Sequence, residues 1–66
     1  MMKTTPIGRY LGLMRLALDH MERRNYGHVM YYATLAHDLA RKQGWDDRAY
    51  EADKIRTTTL LKEAQG

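Results

Sequence analysis

Cysteine is absent from the 66 residues, so no disulfide can staple the chain and no thiolate zinc site can form within it. No apolar run is long enough to cross a bilayer, and no membrane partner is expected. There is no glycine-rich loop to cradle a phosphate and no nucleophile–base pair. The paired Glu-x-x-His pattern of a di-iron bundle is also missing. These absences argue against an enzyme and leave no cofactor or metal to expect. The lack of cysteine fits a reducing compartment, and a cytoplasmic location is expected. Proline occurs once, at Pro6, where it suits the first position of a helix.

A chain of this length makes one small domain spanning 1–66, with 1–5 and 63–66 expected to fray. A domain so small buries only about 60% of its unfolded surface and is marginal alone, so association is the expected help. The net charge is +3, unevenly placed. Residues 1–25 hold five cations against Asp19 and Glu22, whereas residues 45–66 hold four cations against five acids. The start, "MMKTTPIGRYLGLMRLAL", has a charge followed by apolar residues, loosely as a leader does. Arg9 and Arg15 interrupt that run, and the same residues make a good core helix.

Apolar spacing predicts an all-α domain of three helices, near 7–24, 28–43 and 46–62, arranged as a helical hairpin plus a third helix. In the first, Ile7, Tyr10, Leu11, Met14, Ala17, Leu18 and Met21 share one face, widened by Leu13 and Leu16. Thr5 is the expected N-cap, and Gly8 and Gly12 either weaken the helix or admit another backbone. Asn25 to Gly27 forms the first break. The second helix has an inner face of Val29, Tyr32, Ala33, Ala36, Leu39 and Ala40, with Gly44 as the residue that ends it. Met30, Tyr31 and Leu35 lie outside that face, leaving the first half of the helix apolar nearly all round. The third helix should be capped by Asp46 or Asp47 and should bury Trp45, Ala49, Ala52, Ile55 and Thr59.

The stretch "LARKQGWDDRAY" has the short glycine turn of a DNA-reading helix-turn-helix. Its second helix would supply Arg48, Lys54 and Arg56 as nucleic-acid contacts. It would also present Asp46, Asp47 and Glu51 from the turns that approach the bases, where phosphates repel them. The same stretch resembles the connection between repeats in tetratricopeptide proteins, which are stacked helical hairpins. Leu13, Leu16 and Ala17 have the spacing of that family's first helix, Asn25-Tyr26 sits at its turn, and Val29, Ala33 and Ala36 have its second-helix spacing. "LARKQG" and the alanines of "RAYEADKI" resemble the start of a next repeat. The resemblance covers about residues 10–55 and implies a helical hairpin plus one further helix.

His28 and His37 are nine residues apart and project from opposite sides of a helix, with His20 on another, so no metal site is expected. Asp19 and Glu22, one turn apart, read as solvent-facing partners of Arg15 and Arg23 rather than as an acid–base pair. Five tyrosines, one tryptophan and five methionines exceed what three short helices can bury, and these types are enriched at interfaces. The expected function is therefore a non-enzymatic protein–protein interaction module, a small adaptor or regulator of a larger protein. The alternative is a small DNA-binding transcriptional regulator built around Gly44. A homodimer is expected, with Leu13, Leu16, Met30, Tyr31 and Leu35 as its candidate seam.

Overall fold

The computed structural model describes residues 5–65 and shows the three expected helices, with no strand among the described residues. They are α1 (Pro6–Glu22), α2 (Tyr26–Gln43) and α3 (Asp46–Ala64). α1 starts as its sequence requires, with Pro6 in the first turn and the Thr5 hydroxyl accepting from the Gly8 amide at 3.1 Å. α2 packs against both neighbours, while α1 and α3 meet little. The result is a flat slab, 41 × 26 × 12 Å. Among the described residues no further layer covers the two broad faces of this slab.

Alanine dominates the core. Tyr10, Ala36, Ala40, Ala49 and Ala52 form one buried cluster, packed by Ile7, Leu13, Met14, Leu39 and Trp45. Ala17, Val29 and Ala33 form a second, packed by Met21, Tyr32 and Ile55. Small side chains let helix axes approach closely but remove little apolar surface each. The largest fully buried side chains are only Val29 and Thr59. Thr59 satisfies its hydroxyl by donating to the Ile55 carbonyl at 2.7 Å, which lets a β-branched polar residue sit inside α3.

Several local expectations need correction. α1 stops at Glu22 rather than Arg24, because Arg24 adopts a left-handed conformation (φ 61°). α2 begins at Tyr26, so Gly27 lies in its first turn instead of in the break. Trp45, not Asp46 or Asp47, is the N-cap of α3, and the two aspartates occupy its first turn, where they complement the helix dipole. α3 extends through Ala64, so residues 63 and 64 are helical; the expected fraying of 1–4 and 66 lies outside the described residues. Leu11 and Leu18, assigned to the buried face of α1, are instead exposed.

Candidate interaction surface

The core stripe of α1 is centred on Ala17, which is fully buried. At about 100° per residue, Leu16 and Leu18 fall on either flank of that stripe, and Gly12, Arg15, Asp19 and Glu22 fall opposite it. These six residues line one shallow hollow. Leu16 is 42% exposed and Leu18 52%. Asp19 pairs with Arg23 at 3.4 Å across one turn, with both side chains well exposed. An exposed pair of this kind contributes little.

The candidate seam residues do not share one hollow. Leu16 lines that on α1; Tyr31 lines another with Gly27, His28 and Tyr32; Leu35 lines a third beside Arg9, Leu39 and Lys42. Leu16, Tyr31 and Leu35 are exposed. Leu13 is half-buried against the first core cluster, and Met30 is half-buried on α2. Leu11, Leu18, Tyr50, Leu60 and Leu61 are further exposed apolar residues outside the expected seam. The signal available for Leu18 was the charged turn around it: Arg15, Asp19 and Glu22 can share a sector only if that sector faces water.

The hairpin end of α1 and α2 carries an aromatic stack that sequence spacing did not reveal. The His20 ring lies against His28 (4.7 Å between centroids, 19° between planes) and against Tyr32 (5.5 Å, 11°). Tyr31 meets Tyr32 edge-on at 5.2 Å. Asn25 Nδ2 approaches His20 Nδ1 at 3.4 Å. The two imidazoles lie face to face rather than aiming nitrogens at one point. Among the described residues no group of three or more His, Cys, Asp or Glu is placed to hold a metal ion.

Arg48, Lys54 and Arg56 diverge. They stand about 80°, 120° and 160° apart around α3 by helical geometry. Arg48 lies over the Trp45 ring at 5.3 Å, Lys54 over the Tyr50 ring at 5.7 Å, and Arg56 pairs with Asp53 at 3.6 Å. The Nε of Arg56 is buried without a hydrogen-bond partner. The same region holds α1 to α3. The buried Tyr10 hydroxyl donates to the Arg48 carbonyl at 2.9 Å, and its ring meets Trp45 edge-on at 6.2 Å. Burial pushes the Tyr10 phenol above its ordinary value; the nearby Glu51 carboxylate adds to this and the Arg48 cation opposes it. Tyr10 thus stays a neutral donor to that carbonyl at physiological pH. No protein-family model, curated protein or solved structure matches the chain.

Proposed function

We propose that the chain is a non-enzymatic protein–protein interaction module, a small cytoplasmic adaptor or regulator that binds and modulates a larger protein. The observation that carries this reading is the set of leucines left at the surface of the slab: Leu11, Leu16 and Leu18 on α1, and Leu35 beside Tyr31 on α2. Large apolar side chains left exposed and bordered by charge are what a partner covers. A hairpin plus one helix, as in a tetratricopeptide-like unit, offers such faces without a catalytic pocket. The DNA-binding reading around Gly44 is less well supported, because Arg48, Lys54 and Arg56 are divided among three sectors of α3 and each has a partner in the chain.

Affinity capture from native lysate, with wild type and Leu35→Glu side by side, tests the reading. A defined protein retained by wild type, insensitive to nuclease and lost from the variant, is the expected result. Retention of nothing specific would overturn it. So would tight binding to random duplex DNA that weakens steeply between low and moderate salt, since that slope is the mark of phosphate contacts.

A further inference from the structure

The outer face of α1 has an order of charges that is complementary to itself. Arg15 stands toward one end, Asp19 and Glu22 stand toward the other, and Leu16 and Leu18 flank them. Gly12 lies on the same face in mid-helix, where glycine weakens a helix relative to alanine. Among the described residues a Cβ added at Gly12 would meet nothing within 4 Å, so nothing in their packing requires a glycine there. A backbone left bare on an outer face has a use if a second molecule comes close to it.

We propose that this face takes a second copy of the chain, with α1 against α1 in an antiparallel two-fold contact centred near Ala17. This deepens the interaction reading above by naming one occupant, and it moves the expected dimer seam onto α1. In that register Arg15 of one copy lies opposite Asp19 of the other, with Glu22 one turn beyond. Glu22 in turn faces the bare backbone at Gly12. Leu16 meets its own copy on one flank of the contact, and Leu18 meets its own copy on the other. The arrangement closes on itself, because a two-fold repeats each pairing in both directions. A parallel contact would set Arg15 on Arg15 and Asp19 on Asp19, and like charges across an interface fix orientation by exclusion. A partner surface of one sign would leave either Arg15 or the two acids unmatched. The Asp19–Arg23 pair is exposed and weak enough to share Asp19 with an incoming cation.

Charge exchange tests the register. Sedimentation equilibrium of the full chain, from micromolar to about millimolar, should show a reversible dimer. Arg15→Glu alone, and Asp19→Arg with Glu22→Arg in another chain, should each weaken that dimer by about tenfold or more. Mixing the two variants should give a heterodimer at least as tight as the wild-type pair, because opposite charges then meet again in both halves of the contact. They meet in reversed sense where the substituted positions face each other, and in the original sense where the unchanged Arg15 of one chain faces the unchanged Asp19 of the other. Circular dichroism establishes that each variant is folded. If one is not, Gly12→Gln serves instead: it should raise helicity and still weaken the dimer, because its side chain fills the space that Glu22 of the second copy needs. Single-chain mass across the whole range would overturn the proposal, as would charge variants that pair like wild type or fail to pair with each other. A partner captured by wild type in the lysate experiment would then leave the interaction reading standing without this occupant.

Discussion

The two interhelical turns have nearly the same backbone and different residues carrying it. After α1, the Arg24 amide donates to the Met21 carbonyl at 3.1 Å and the Asn25 amide to that of His20 at 2.9 Å. After α2, twenty residues later, Gly44 donates to Arg41 at 3.1 Å and Trp45 to Ala40 at 2.8 Å. Both are the paired closing bonds of a Schellman motif. The residue that then opens the next helix is also alike: Asn25 has φ −89° and ψ 70°, Trp45 φ −91° and ψ 81°, and neither caps with its side chain. The left-handed position is glycine in one turn and arginine in the other, at φ 75° and φ 61°. The following residue is a half-buried tryptophan in one and an exposed asparagine in the other. One geometry is thus reached by a residue suited to it and by a residue forced into it. The comparison separates what backbone bonding contributes from what side chains add.

The largest difference should come from the residue after the left-handed position. Trp45 packs on the first core cluster, meets Tyr10 edge-on and lies under the Arg48 guanidinium. Truncating a fully buried tryptophan costs about 3–5 kcal/mol, and half-burial brings Trp45→Ala to roughly 2–3. Asn25 makes one long, exposed contact to His20, so Asn25→Ala should cost below about 1 kcal/mol. Thermal unfolding should separate the pair by on the order of 10 °C for a domain of this size. Equal losses would mean that Trp45 does not anchor the second turn.

Gly44→Ala comes next. A Cβ there would meet nothing within 4 Å, so any loss reports the left-handed backbone alone. That conformation costs an L-residue about 1–2 kcal/mol, and part is returned because alanine restricts the unfolded chain more than glycine does. A net loss near 1 kcal/mol in urea unfolding is expected. No loss would show that this turn tolerates a side chain as freely as its counterpart.

The contrast between the turns also marks how far the sequence could be read. Gly44 was legible because glycine after a helical pattern, behind Arg41 and Lys42, is a local stop signal. Arg24 was not, because nothing local distinguishes an arginine that will be left-handed from one in a last helical turn. The break is therefore expected at Asn25 to Gly27, of which Tyr26 and Gly27 belong to α2. The inner faces of α2 and α3 were legible from spacing, since Val29, Ala33, Ala36, Ala40, Ala49, Ala52 and Thr59 are all buried. α1 was harder. Its leucines outnumber what one neighbouring helix can cover, and periodicity does not say which flank stays bare. Tyr31 and Leu35, expected outside the inner face of α2, are exposed; Leu11 and Leu18, expected on the apolar face of α1, and Leu16, expected to widen it, are exposed as well. The stack of His20, His28 and Tyr32 depends on how two helices meet across the turn, a non-local fact.

Arg24→Gly should give the smallest effect and the only gain. Relief of the left-handed strain is worth about 1–2 kcal/mol. Two terms reduce it. Glycine frees the unfolded chain by about 0.4–1 kcal/mol, and the substitution removes a cation beside the C-terminus of α1, worth about 0.3 at an exposed site. The remainder is a stabilisation of about 0.5 kcal/mol, opposite in sign to Gly44→Ala. Urea unfolding at several salt concentrations checks both parts, because the dipole term is screened and the strain term is not. The gain should therefore grow slightly as salt rises. A destabilised variant would mean that the Arg24 side chain makes a favourable contribution larger than the strain it imposes. The two turns would then be alike in backbone but held by different forces.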